Sequence, residues 1–383
     1  MDVQAPVVFL RCFSQMADPR RHNVRHRFTD ILAIAILAVM SRADDWDEVI
    51  LYARTNLPWL EEFLELPNGI PCADTFRRVF ARLNPLAFER CFIEWTRSLA
   101  SVSMGRLIAI DGKSLRRSFT HGWNKQMVHV VSAWCSENQV VLGQLAVDGK
   151  SNEITAIPRL LELLHLRQAV VSIDAMGCQK EIARQIRSQQ ADYLLAVKDN
   201  QKTLHDKAVA ILNEAALDQV RKLNPGQYDY HESSEEGHGR IETRRVWVSY
   251  NAKDLGEELL GQWTDLNSLV MVENTRQDLG DAQGRVSVER RIYICSLVRP
   301  STKQAGAYVR GHWGVENPLH WRLDMTFRED ESRIRKDHGA ENFSRLRRIA
   351  MNKLKSDPFK MSLKCKRYKC SLDREYLIQM LQQ

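Results

Sequence analysis

Ten consecutive apolar residues, Ile31 to Met40, follow Asp30, and the pattern predicts a buried helix with Asp30 as its cap. Amphipathic stretches follow at Asp45 to Arg54 and Trp59 to Leu66. Phe76, Val79, Phe80 and Leu83 recur at helical spacing behind a second candidate cap, Asp74. Pro85 can open a further helix carrying Phe88, Phe92 and Trp95. Residues 1–100 therefore read as a helical domain. Arg77, Arg78 and Arg82 lie on or near the face opposite the apolar one, which would suit a recognition helix for DNA. A helical bundle with basic solvent-facing residues is the simpler reading.

Beyond residue 105 the apolar runs shorten. Arg106 to Asp111 and Ala169 to Asp174 each end in an acid. Met127 to Trp134 and Val140 to Val147 are β-rich and flank a turn at Ser136 to Gln139. Ile154 to Leu164 and Cys178 to Gln189 have helical periodicity, and Asp192 to Lys198 reads as a strand. The order β-β-β-α-β-α-β over 101–226 predicts an α/β mixed sheet with helices on both faces. Leu204 to Leu217 reads as one more helix. Residues 227–300 are rich in Tyr, Val, Thr and Ile, with turn signals at Gly237 to Gly239 and Gly280 to Gly284, and predict an inserted β subdomain. Helix returns over 301–383, with breaks near Pro318 and Pro358.

Composition narrows the class. Hydrophobic residues at 44% and charged residues at 27% exclude a wholly disordered chain, a collagen and a membrane bundle. The ten-residue apolar run is too short for a bilayer that needs about 20 residues. The Met1 to Gln4 start shows no basic segment leading into an apolar one, so no signal peptide is expected. Eight scattered cysteines without a C-x-x-C pair read as reduced thiols, and Cys365 and Cys370 lack a second pair for zinc. The net charge of +7 is uneven: Arg322 to Lys369 holds 15 basic and 7 acidic residues. Such a segment suits a polyanion, because Lys and Arg release counterions from phosphates, or else it is a solvated helical face.

Acids at strand ends of an α/β sheet sit where ligands bind. The topology allows the first and fourth strands to be neighbours, which would bring Asp111 and Asp174 together. A divalent cation such as Mg²⁺ resolves their repulsion through hard oxygen ligands. Either acid alone reads as well as a turn residue, as in Asp111-Gly112. Downstream, His312, Glu316, His320 and Asp324 are spaced four apart beside Trp313 and Trp321. On a helix they form a stripe drifting about 40° per step, without the H-E-x-x-H form of a zinc site.

Several segments occur together in one family. They are Ala109 to Lys113, Lys150 to Ile154, Ile173 to Lys180, Leu195 to Gln201, Gly237 to Arg240, His312 to Asn317, Leu319 to Asp324 and Arg328 to Asp330. On these segments the chain closely resembles the H-repeat-associated transposases of bacterial insertion sequences. These are DDE transposases with a ribonuclease H-like core. The resemblance implies that Asp111, Asp174 and Glu316 form a catalytic, metal-binding triad served by Mg²⁺ or Mn²⁺, with two ions. It implies double-stranded DNA as partner (element terminal inverted repeats and target DNA), a bacterial cytoplasmic setting, and a homodimer or higher oligomer on DNA. It also implies a β insertion between the second and third acids.

Related transposases carry a Tyr-Arg-Glu-Lys signature around the third acid. Here His312 stands for the Arg and Leu323 for the Lys. His312, Arg310 and Arg322 are candidates to take over those DNA contacts, with Lys113 and Arg240 as further ones. His320 and Asp324 are candidates to support the site from behind. Among competing acids, Glu153 precedes a helix on the far side of the sheet, and Glu329, Asp330 and Glu331 read as exposed ion pairing with Arg328 and Arg333. Arg333, Arg335, Lys336, Arg345, Arg347 and Arg348 are expected to meet phosphates. Pro318 should disturb the helix directly after Glu316, because its ring clashes with the carbonyl of Gly314. The rivals to a transposase are a catalytically silent DNA-binding protein and a DNA nuclease without strand transfer.

Overall fold

The apolar run from Ile31 is helical and all ten residues are buried in the computed structural model, which describes residues 11–22, 24–99, 105–119, 127–148, 153–213, 226–237, 239–280 and 285–382. In chain order the first helices are α1 (Phe28–Met40), α2 (Trp46–Thr55), α3 (Ala73–Arg82) and α4 (Pro85–Leu99). Strands β1 (Leu107–Ser114), β2 (Val128–Cys135) and β3 (Val140–Asp148) follow, then α5 (Glu153–Leu163), β4 (Val170–Ile173), α6 (Lys180–Ser188), β5 (Asp192–Val197) and α7 (Lys202–Ile211). Next come β6 (Tyr228–Gly237), β7 (Arg240–Ser249), β8 (Ser268–Asp278) and β9 (Val286–Cys295). The chain closes with α8 (Thr302–Trp313), a π-helical turn (Glu316–Trp321), α9 (Arg322–Phe327), α10 (Gly339–Ser356), α11 (Leu363–Leu372) and α12 (Arg374–Gln382).

The expected helix starts shift. α1 opens behind Arg27, and Asp30 is buried in its first turn, where it accepts from the Leu66 backbone N–H at 3.1 Å. α3 opens behind Cys72, while Asp74 engages Arg77 at 2.9 Å. Between Trp59 and Leu66 the helix reaches only Leu60, and Leu66 sits at φ +37°, outside the helical region. Residues 214–217, 238 and 281–284, which carry parts of the expected helix and turns, lie outside the described residues.

The strands take the order β3-β2-β1-β4-β5-β9-β8-β7-β6. β1, β4 and β5 are parallel, whereas β9 runs antiparallel to β5 and leads into an antiparallel meander. The run over 227–300 therefore lies where an insertion was expected in the chain, but its strands extend the sheet. Exposed β5 backbone groups are satisfied by β9 instead of being left as an edge.

The contacts divide the chain into two units: residues 1–101, 112–156 and 316–383, and residues 102–111 and 157–315. In the second, Leu107, Val170, Leu194, Val246, Val270 and Tyr293 pack with Ala305, Tyr308 and Val309 of α8. In the first, α10 is buried along nearly its whole length and packs against α1, α3, α4 and β3. None of the described helices is long and apolar enough to cross a membrane.

Candidate active site

In the second unit, β1 and β4 are in parallel register from Leu107 opposite Val170 to Ile110 opposite Ile173. Asp111 follows the last paired residue of β1, which runs on to Ser114, and Asp174 is the first residue after β4. Parallel strands lie about 4.8 Å apart, so the two acids follow paired residues of neighbouring strands. Asp174 is oriented by the Gly177 N–H, which its side chain accepts at 3.4 Å. Both acids are half-buried. Asp111-Gly112 is not a turn pair, since both residues belong to β1.

In the same unit, His312 is buried on α8 and its Nδ1 lies 2.9 Å from Ser172 Oγ. Burial, helped by the nearby Arg291 charge, pushes its pKa down to about 4. A neutral enclosed imidazole cannot act as the cationic DNA contact expected of it. Arg310 is exposed beside Glu235 at 3.3 Å, and Arg240 pairs with Glu242 at 2.6 Å. Arg291 stacks over Trp313, 3.5 Å from the ring centroid. Both line an open cavity of about 430 Å³ with Arg244, Arg276 and Arg310.

In the first unit, Glu316 is exposed and opens the π-helical turn. Pro318 has no N–H to give, and the ladder widens around it, as the clash with the Gly314 carbonyl requires. Lys355 Nζ donates to the Pro318 carbonyl at 3.0 Å. The hydrogen bonds of such a turn run from i to i+5, so the regular helix on which His312, Glu316, His320 and Asp324 would form a stripe is interrupted at Glu316–Trp321. His320 Nε2 is shut away from solvent, and burial with the charges of Arg348 and Lys113 pushes its pKa down to about 3. The Asp324 carboxylate meets the Lys113 ammonium. Arg322 is half-buried.

Lys113 was expected on DNA. Its side chain is only 10% exposed and its ammonium meets Asp324, Glu329 at 3.3 Å and Asp330 at 3.5 Å. The three carboxylates offset its charge inside the protein. Glu329 likewise is no surface acid: its side chain is fully buried and Arg348 lies 2.9 Å away. Only Glu331 keeps the expected exposed pairing, with Arg328.

The basic segment divides in the same way. Arg345 is buried on Glu89 at 2.6 Å, and Arg347 and Arg348 are equally enclosed. α10 is a central helix, so its cations serve internal carboxylates and carbonyls. Arg333 and Lys336 are exposed, while Arg335 donates to the Arg117 carbonyl at 2.8 Å. The sequence signal for this split was the apolar spacing of Phe343, Leu346, Ile349, Ala350 and Leu354, which marks α10 as buried.

Among the described residues no three His, Cys, Asp or Glu side chains converge as a metal-binding group. The donor chemistry at Asp111 and Asp174 nevertheless suits a hard divalent cation, which two adjacent carboxylates attract.

The mixed sheet has the strand order β3-β2-β1-β4-β5 with an acid following the paired residues of parallel β1 and β4, as in the ribonuclease H-like class of α/β fold. A family profile of the Transposase DDE domain matches residues 103–353, and one described as DDE_Tnp_1-associated matches residues 10–96. YhhI of Escherichia coli (strain K12), an H repeat-associated protein that carries its transposase name as an inference, is 39% identical, covering 94% of this chain and 93% of its own. YncI of Escherichia coli O157:H7, named in the same manner, is 40% identical over 94% of this chain and 90% of its own. A solved piggyBac transposase synaptic complex with hairpin DNA aligns with a TM-score of 0.44 at 11% identity, over 100% of this chain and 79% of that chain. The chain belongs to the DDE transposase family.

Proposed function

We propose that the protein is a metal-dependent DNA transposase that binds the ends of an insertion sequence, hydrolyses a phosphodiester there and joins the resulting 3′-hydroxyl to target DNA. The observation that carries this reading is that Asp111 and Asp174 each directly follow a residue of the Ile110–Ile173 pair of parallel β1 and β4, in a chain of this family. Asp111, Asp174 and Glu316 would hold Mg²⁺ or Mn²⁺, which when bound supplies the charge that makes a water or a 3′-hydroxyl nucleophilic. The chain's own part is positioning. The β1 and β4 backbones fix two carboxylates, and the Gly177 N–H orients one of them. Exposed cations such as Arg310, Arg333 and Lys336 would meet DNA phosphates. No covalent protein nucleophile is required.

The test is a gel shift beside a cleavage and joining assay on element-end DNA with Mg²⁺. Asp111→Asn, Asp174→Asn and Glu316→Gln should each abolish cleavage and joining and leave end binding nearly intact. A wild-type protein that binds ends without cutting would identify a silent DNA-binding protein. One that cuts without joining a supplied 3′-hydroxyl end would identify a nuclease.

A further inference from the structure

Gly112 and Ser114 share one face of β1, because side chains alternate along a strand. Beneath that face lie His129 of β2 and Glu153 at the start of α5, which are 1% and 5% exposed. Ser114 Oγ is 2.9 Å from His129 Nδ1, and His129 Nε2 faces the Glu153 carboxylate in ion-pair contact. The imidazole thus stands between the Ser114 hydroxyl at Nδ1 and the Glu153 carboxylate at Nε2, and links the strand to the start of α5. A Cβ on residue 112 would collide with the Glu153 carboxylate and with His129 Nε2, and would stand 2.7 Å from Glu153 Cδ. The glycine is thus required for this pair to approach the strand. On the opposite face, Lys113 is held by Asp324, Glu329 and Asp330. The three residues that follow Asp111 are pinned from both sides.

A buried carboxylate is costly to desolvate, and an apolar pair of similar size would fill the same space without that cost. We propose that Ser114, His129 and Glu153 are positioning residues for the transposase reaction: they hold the β1 backbone directly after Asp111 so that its carboxylate is presented in one orientation. This rests on the reading of Asp111 as a catalytic residue. It also gives a role to Glu153, which the triad leaves unused.

The experiment measures amide hydrogen exchange of residues 107–114 and single-turnover cleavage of element-end DNA at saturating DNA with Mg²⁺, with end binding by gel shift. The proteins are wild type, Glu153→Gln, His129→Leu, His129→Gln and Ser114→Ala. Glu153→Gln and His129→Leu should raise exchange at Gly112 to Ser114 about tenfold or more. They should slow cleavage about tenfold or more and keep end binding within about twofold. His129→Gln, which keeps a polar group facing Glu153, should recover most of the rate. Unchanged exchange in Glu153→Gln and Ser114→Ala overturns the proposal, as does a loss of end binding that matches the loss of rate. Should His129→Leu fail to fold, Ser114→Ala carries the same two readouts. A wild-type protein that does not cut would remove the transposase reading, while the exchange measurement still decides whether these residues hold the strand.

Discussion

Arg348 Nη1 donates to Glu329 Oε1 at 2.9 Å, and neither side chain is exposed. Ser344 Oγ donates to the same oxygen at 2.8 Å, and Lys113 approaches the other at 3.3 Å. Burial alone would raise this carboxyl's pKa. The Arg348, Lys113 and Arg347 charges and the Ser344 hydroxyl outweigh it and hold the group well below the usual range. Removing one partner of such a pair strands the other, at a cost of about 3–5 kcal/mol. Glu329→Gln should therefore lower the unfolding free energy by that order in urea at pH 7, and its activity should fall with its stability. Because the folded pKa is depressed, the carboxylate's contribution is present above about pH 4.3, its unfolded value, and is lost as the pH falls below that. A Glu329→Gln protein as stable as wild type would overturn the internal role.

His312 makes a prediction of the same sign in another window. Its pKa falls to about 4 from burial and the Arg291 charge. Between the unfolded value near 6.5 and the folded value, the unfolded chain binds more protons. Stability should therefore be complete above about pH 6.5 and decline on the order of 3 kcal/mol as the pH drops to about 4. His312→Asn should flatten that part of the melting-temperature curve. An imidazole found by NMR to titrate near 6.5 in the folded protein would contradict the enclosed position.

The neighbouring of β1 and β4, and with it the closeness of Asp111 to Asp174, was legible because each strand is a short apolar run and each acid directly follows one. The fates of Lys113, His312 and Glu329 were not, and the apolar spacing of α10 marked a buried helix without showing the partners of Arg345, Arg347 and Arg348. A charged residue reads as surface until its partner is known, and here the partners lie far along the chain, as with Arg345 and Glu89. The π-helical turn was half legible. Pro318 announced a break after Glu316, but the sequence does not show that the ladder widens instead of ending. The β-rich character of 227–300 was visible as composition, yet its pairing through β9 onto β5 depends on register between distant segments.

The split of the basic segment predicts different salt behaviour for its members. Arg333 and Lys336 are exposed, and neutralising each should flatten the slope of log affinity for element-end DNA against log salt by about 0.9 per lost phosphate contact. Arg347→Met should leave the slope nearly unchanged, because its guanidinium donates to the Phe327 carbonyl and lies over the Phe343 ring. Equal slopes for wild type and the Arg333→Gln, Lys336→Gln double variant would remove these two residues from the DNA contact.

The neighbouring acids predict a trade between stability and metal binding. Asp111 and Asp174 each follow a residue of the Ile110–Ile173 pair of parallel β1 and β4 and are half-buried. Like charges at about 4.8 Å backbone spacing oppose one another when no cation lies between them. In EDTA, Asp111→Asn and Asp174→Asn should each melt about 1–3 °C higher than wild type, since amides keep the shape and remove the repulsion. Asn at position 174 can still accept from the Gly177 N–H, so the turn it caps should persist. Adding Mg²⁺ at about ten times its dissociation constant should stabilise the wild type by about 1.4 kcal/mol, and the two variants by much less. Ca²⁺ should also stabilise the wild type, but its longer and looser coordination should not support cleavage. The measurement is a melting series with each ion, run beside the cleavage assay. Variants that melt below wild type in EDTA and gain as much from Mg²⁺ would show that the two carboxylates do not share a cation.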